Sequence, residues 1–250
     1  MRNVPIFPRL TENNTRTGFV DDSQGRKLIA SCIELWLRTI LELARTYGWR
    51  KRELTGMRVS QVDLFRRTIR LELGTTKNRD GREVSMTEAA YTLLKACVTG
   101  KSPDDYVFTR EDGKPVRDFR KTWANACCTA GLGKFSCVTC HKDLNSSGKL
   151  CPDCKQPVKY IGLMVHDLRR TAARNLRRAG VAEGVIQKIG GWKTRSVFER
   201  YNIVTQSDIQ DAMLKLQTSE QKSEVVTENG YSFGYSEPKT AAVAKAQPLN

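Results

Sequence analysis

Apolar residues recur at helical spacing over most of the chain. From Ser23 to Tyr47, the positions Ile29, Cys32, Ile33, Trp36, Ile40, Leu43, Ala44 and Tyr47 fall three or four apart, which predicts one long helix ended by Gly48. A shorter helix is expected from Arg50 to Met57. The period then changes. Phe65 to Leu73 alternates around Thr68, Ile69 and Leu71 and reads as a strand. Asn78-Arg79-Asp80-Gly81 is a turn signal, and Arg82 to Met86 returns as a second strand. Ala89 to Val98 and Arg117 to Ala130 read as helices, the second closed by Gly131-Leu132-Gly133. His166 to Ala179 places Leu168, Ala172, Leu176 and Ala179 on one helical face, and Gly180 stops it. Val185, Ile186 and Ile189 mark another helix, ended by Gly190-Gly191. Ser207 caps a last one, with Ile209, Ala212, Met213 and Leu216 on one stripe. The expected fold class is mainly helical with a small antiparallel sheet. Residues 1–20 have no period and read as a linker or arm, and the polar stretch 218–250 as a disordered tail. The body is expected over 21–217, interrupted at about 135–160 by a segment without helical pattern.

Composition narrows the function classes. The chain has 250 residues, 39% of them hydrophobic, enough for one or two cores. No run of about 18 apolar residues exists, and Met1-Arg2-Asn3-Val4-Pro5 lacks a signal-peptide core, so a cytoplasmic protein with no membrane partner is expected. Lys plus Arg is 42 against 27 Asp plus Glu, a net charge of +15. Such an excess calls for a polyanion, and nucleic acid is favoured over a membrane surface because no lipidation motif accompanies it.

The interrupting segment has its own chemistry. Cys137-Val-Thr-Cys140 and Cys151-Pro-Asp-Cys154 are two CxxC pairs with ten residues between them. In a reducing compartment they read as a metal site rather than as disulfides. Four thiolates close a tetrahedral structural site, so one zinc per chain is expected in an inserted zinc ribbon. His141 is the alternative ligand, and the four cysteines are favoured. The lysines Lys134, Lys142, Lys149, Lys155 and Lys159 also suit the insertion to contact with a DNA backbone.

Three further segments stand out: Gly48-Trp49-Arg50-Lys51-Arg52-Glu53-Leu54, His166-Asp167-Leu168-Arg169-Arg170-Thr171, and Gly191-Trp192 with Tyr201 nine residues beyond the tryptophan. His166 and Arg169 at i, i+3 share one side of a helix, where they suit phosphate. Alone, the run of Arg169, Arg170, Arg174, Arg177 and Arg178 is equally a solvated or DNA-facing surface. In this order the segments resemble the catalytic domain of tyrosine recombinases, the phage integrase family, whose pattern is Arg…Lys…His-x-x-Arg…His/Trp…Tyr. Arg50 with Glu53 matches its first box, and Lys77 in Thr76-Lys77-Asn78 lies where the family has a hairpin lysine. His166 and Arg169 match the second box, and Trp192 and Tyr201 the last. The resemblance covers about residues 16 to 217; the cysteine insertion departs from it.

The resemblance implies a DNA integrase or recombinase that cleaves and rejoins double-stranded DNA through a 3′-phosphotyrosyl intermediate. Tyr201 is then the nucleophile, Arg50 and Arg169 hold the non-bridging oxygens, and His166 binds the phosphate or takes the tyrosine proton. Lys77 protonates the leaving 5′-oxygen, Trp192 packs and donates a hydrogen bond, and Glu53 orients Arg50 or His166. The chemistry itself needs no cofactor. The resemblance also implies a homo-oligomer on DNA, with the last helix docked on a neighbouring subunit, and a core-binding domain ahead of the catalytic one. About 20 residues precede the first helix here, so a fragment, a degraded gene product or a stand-alone catalytic domain is the expectation. The rival readings are type IB topoisomerase-like relaxation of DNA and a catalytically idle zinc-ribbon DNA-binding protein.

Overall fold

A computed structural model of the chain describes residues 18–71, 81–144, 148, 150–201, 204 and 206–228. Asp21 starts the first helix, α1 (Asp22–Ala30), through a capping box: its carboxylate accepts from Gln24 N at 2.8 Å while Gln24 Oε1 accepts from Asp21 N at 3.1 Å. The single helix expected over Ser23 to Tyr47 is in fact two. After α1 the chain turns through residues 31–34, and α2 spans Leu35–Tyr47. Arg38 Nε holds the turn by donating to Cys32 O at 2.6 Å. The apolar spacing ran through the break because Ile29, Cys32 and Trp36 all reach the core, from two helices and the turn between them. Ile33, counted as core, is 90% exposed.

α2 is the centre of the molecule. Leu37, Ile40, Leu41, Leu43 and Ala44 are fully buried, and the helix packs on α4 (Glu88–Val98) and α6 (Leu168–Arg178). Its buried Glu42 is met by Arg45 at 2.9 Å. It ends at Gly48, whose left-handed backbone (φ +69°) only glycine adopts freely. The short α3 (Lys51–Thr55) follows, and then a three-stranded antiparallel sheet, β1 (Val62–Asp63), β2 (Thr68–Leu71) and β3 (Arg82–Ser85), with Ile69 opposite Val84. β1 was missing from the sequence reading, being only two residues long. Tyr47 Oη donates to Ser85 O at 2.9 Å and ties this sheet to α2.

Beyond α5 (Arg120–Thr129), the cysteine segment forms a second antiparallel sheet in the order β5-β4-β6, from β4 (Gly133–Cys137), β5 (Asp143–Leu144) and β6 (Val158–Gly162). It packs as part of the body: Tyr160 and Leu163 pack against the main core, and Trp123 Nε1 of α5 donates to Leu163 O at 2.8 Å. The helix expected from His166 begins instead as a 3-10 turn, Val165–Asp167, before α6. Next come α7 (Glu183–Gly190) and α8 (Arg195–Glu199). A small second core of Ala173, Ile186, Trp192 and Phe198 packs under this end.

The described residues up to Tyr201 form one compact unit, and those from Val204 a second. The second is α9, Gln206–Glu228, which runs well past the expected end at Leu216 and into the stretch read as tail. Its extension, Gln217 to Glu228, is polar but lacks Gly and Pro, so nothing in it breaks a helix. Among the described residues, no helix is long and apolar enough to cross a membrane.

Candidate active site and metal centre

The site is assembled at the first half of α6. This helix is rich in arginine, yet Arg169, Arg170, Thr171 and Arg174 are buried with Leu168, Ala172 and Ala173. The arginine run is therefore not one solvated face: only its last member, Arg178, is exposed. Asp167 organises the entry. Its carboxylate accepts from Met164 N at 2.8 Å and from Arg170 Nη1 at 2.9 Å.

Arg169 is 1% exposed. Its Nη1 donates to the carbonyls of Gly48 and Gly190, the latter at 3.2 Å. Two glycine carbonyls at helix ends thus aim one guanidinium, and they were not foreseen from the sequence. Nε and Nη2 of Arg169 are buried with no hydrogen-bond partner among the described residues. Burial, then the charge of Arg50, lowers the Arg169 pKa to about 10, which leaves it charged at neutral pH. Its guanidinium lies 4.6 Å from the Trp192 ring and 5.2 Å from the Tyr201 ring.

Tyr201 Oη is 3.0 Å from His166 Nε2, and the rings meet edge-on at 5.5 Å. The packed protein around the imidazole, then the charges of Arg169 and Arg170, lower the His166 pKa below its ordinary value. Neutral imidazole is the form at pH 7, so Nε2 can accept a proton. Trp192 is 3% exposed and packs between Phe198 at 5.5 Å and Tyr201 at 5.7 Å. Its Nε1 is buried without a partner among the described residues. A Cβ at Gly190 would overlap the indole, and one at Gly48 would sit 3.0 Å from it, so both glycines make room for this ring.

Arg50 reaches the site from the start of α3. Glu53 accepts from Arg50 N at 2.8 Å and from Arg50 Nη1 at 3.0 Å. The carboxylate thus orients Arg50, one of the two partners anticipated for it. The same carboxylate accepts from Arg82 Nη2 at 2.8 Å. Arg82 was missed, because a lone arginine beside a turn carries no periodic or motif signal. Lys77 lies outside the described residues. Thus Arg50, Glu53, His166, Arg169, Trp192 and Tyr201, spread over 152 positions of sequence numbering, converge in one place.

The Sγ atoms of Cys137, Cys140, Cys151 and Cys154 lie within 4.8 Å of one another and form a group able to hold a metal ion. Three of the separations are 3.3, 3.6 and 3.7 Å. A tetrahedron of sulfurs about 2.3 Å from a central ion has edges of about 3.8 Å. The two halves are built alike. Cys137 N donates to Lys142 O at 3.0 Å, and Cys151 N to Gln156 O at 2.8 Å. The residue after each second cysteine is left-handed, His141 at φ +57° and Lys155 at φ +56°. His141 is therefore a turn residue, not one of the grouped ligands. Backbone N–H groups of Thr139 and Cys140 lower the Cys137 thiol pKa to about 6, which favours the thiolate a metal needs.

Comparison with known proteins places the chain among recombinases. The model of the phage integrase family matches residues 18–143. The integrase of Salmonella phage P22 is 24% identical over 209 residues, covering 79% of this chain and 46% of that protein. The tyrosine recombinase XerA of Saccharolobus solfataricus is 24% identical over 215 residues, 86% of this chain and 61% of its own length. The chain thus spans about half to three fifths of these curated relatives. A crystal structure of XerA recombinase superposes with TM-score 0.60 at 18% identity, over 83% of this chain and 68% of that one. A lambda integrase dimer bound to a COC′ core site gives 0.54 at 17% identity, over 78% and 50%. With the family model matching just over half of its residues, the fold shared with recombinases and the His-Arg-Trp-Tyr cluster assembled, this chain belongs to the phage integrase family.

Proposed function

We propose that the chain is the strand-cleaving and rejoining part of a site-specific DNA integrase or recombinase, working through a 3′-phosphotyrosyl intermediate. The observation that carries this reading is Tyr201 Oη at 3.0 Å from a neutral His166, over an arginine with two unpaired buried donors. Buried donors left unpaired cost free energy, and phosphate oxygens would satisfy them. Tyr201 attacks phosphorus while its proton passes to His166 Nε2. Arg50 and Arg169 bind the non-bridging oxygens and stabilise the charge of the five-coordinate transition state. The bond to the 5′-oxygen breaks, and Lys77 supplies that oxygen's proton. Trp192 packs against the phenol and offers its indole N–H; it carries no proton. The phosphotyrosyl ester keeps the bond energy, so rejoining is the reverse step and needs no nucleotide.

Double-stranded DNA is the proposed partner, in the cytoplasm or nucleoid, with several copies of the chain assembled on it. The four-cysteine group is proposed to hold one structural zinc. The donor set and the near-tetrahedral spacing fit that ion, which would lock the two CxxC turns together and take no part in the chemistry.

The test is a suicide duplex that traps covalent protein–DNA adducts. Wild-type protein should form the adduct. Tyr201→Phe should bind the duplex as well but form none. An adduct with the Phe variant would move the nucleophile elsewhere and sink this reading.

A further inference from the structure

The carbonyls that hold Arg169 come from two distant parts of the chain, Gly48 at the end of α2 and Gly190 at the end of α7. One side chain sits beside both. Trp49 follows Gly48 directly, and its indole Nε1 donates at 2.8 Å to Ile189 O, the carbonyl just before that of Gly190. The indole therefore spans the gap one residue away from each acceptor. It is held stiffly. Trp49 is 1% exposed, and its ring stacks on Tyr47 with centroids 4.8 Å and planes 22° apart. Tyr47 is itself tied to Ser85 O, and the Arg82 guanidinium lies 5.7 Å from the indole. A tryptophan has only two side-chain torsions, so this packing leaves the N–H one direction.

We propose that Trp49 is a positioning residue for Arg169, the strut whose N–H sets the distance between the two carbonyls that aim the guanidinium. The inference rests on Arg169 binding the scissile phosphate, as proposed above. Nη1 carries two hydrogens at a fixed angle, so it serves both carbonyls only while their separation holds. A guanidinium is planar, so fixing Nη1 also fixes the direction of the edge formed by Nε and Nη2. Those are the two donors buried without a hydrogen-bond partner among the described residues, and their fork matches two phosphate oxygens. Without the indole N–H, the bond to Ile189 is lost and the end of α7 is free to shift against Gly48. A shift of an ångström there swings the fork off the phosphate, and such errors cost on the order of 10²-fold in rate. The plain alternative is that Trp49 only fills the core, which an aromatic ring without the nitrogen would do as well.

Two duplexes separate these roles, each read as the single-turnover rate of adduct formation. In one the scissile phosphate is ordinary; in the other a methyl group replaces one non-bridging oxygen, which removes the charge a guanidinium neutralises. Trp49→Phe keeps a ring against Tyr47 and loses the N–H. It should slow the ordinary duplex by about 10²-fold and the neutral one by less than about 10-fold. Arg169→Gln should show the same preference for the neutral duplex, and Trp49→Phe should add nothing to it in the double variant. Equal losses on both duplexes for Trp49→Phe would overturn the inference, since a core-filling ring has no link to phosphate charge. So would an unchanged rate on the ordinary duplex, or losses that multiply in the double variant. If Trp49→Phe does not fold, 3-benzothienylalanine at position 49, which has the indole shape with sulfur in place of the N–H, is read by the same ratio. Equal losses on both duplexes for Arg169→Gln would instead refute Arg169 as the phosphate ligand. The expected preference in Arg169→Gln without it in Trp49→Phe refutes the strut alone.

Discussion

At Arg169 a charge is held almost out of water by two glycine carbonyls, and at His166 a neighbouring imidazole has its pKa lowered by burial first and by the Arg169 and Arg170 guanidinium groups second. The two effects have one cause, burial beside like charges, and they suit the two groups to the opposite roles proposed for them: a fixed cation for phosphate and a base for the phenol. The sign of the pH dependence follows. A base whose pKa is lowered stays neutral to a lower pH than usual, so single-turnover adduct formation should hold level as pH drops from 7 to about 6.5, the ordinary histidine value. It should fall only as pH passes through the lowered value. His166→Asn, which cannot take the proton, should be slower and should lose that acidic limb. A limb centred above 6.5, or one that survives in the Asn variant, would assign the titration to another group. His166, Arg169 and Tyr201 were readable in the sequence because their spacing is a motif. Arg82 was not, since its significance lies in the Glu53 carboxylate it shares with Arg50, a contact across 29 positions.

The cysteine ribbon shows at the scale of elements how the four-cysteine group and the candidate active site are joined. Tyr160 Oη of β6 donates to Leu163 O at 2.8 Å, and Leu163 N to Leu132 O at 3.0 Å. Three residues later comes His166. With about 10 kcal/mol of apparent binding free energy, a structural zinc would dominate the order of so polar a segment. Elemental analysis should find one zinc per chain. Cys151→Ser should release it and expose residues 133–162 to protease, while the body, with its core on α2, stays folded. Cleavage should slow as the second box loosens. A zinc-free protein whose ribbon resists protease would refute the site. The CxxC spacing announced this element, but its three strands were invisible: β5 is two residues long, and β4 and β6 pair across a gap that no local pattern measures. The break between α1 and α2 was hidden for the opposite reason. Its apolar positions keep helical spacing on both sides of the turn, and capping, not periodicity, ends α1.

At the scale of the whole molecule, the net charge of +15 would supply the attraction for the proposed DNA partner, and α9 offers a surface for a second kind of contact. Ile209, Ala212, Met213 and Leu216 fall at i, i+3, i+4 and i+7 along it, a stripe suited to another protein surface. We expect it to dock on a neighbouring copy. Deleting residues 206–250 should leave binding of a single copy to DNA unchanged and weaken the higher-order complexes seen in sedimentation. Unchanged assembly would mean that the stripe serves its own chain.

The sequence by itself determined the helical class, the basic character, the four-cysteine group and most of the candidate chemical groups, because each is written in local spacing or in composition. Tertiary structure decided what those groups do together. It buried half of an arginine-rich helix that composition alone would leave in water. It brought Gly48 and Gly190 to Arg169, and Glu53 between two arginines. It also turned Trp192 from a motif letter into the ring that packs between Phe198 and Tyr201. Burial, charge coupling and a shared acceptor all depend on distances between residues far apart in the chain, and those distances exist only once α2, α6 and β3 have packed.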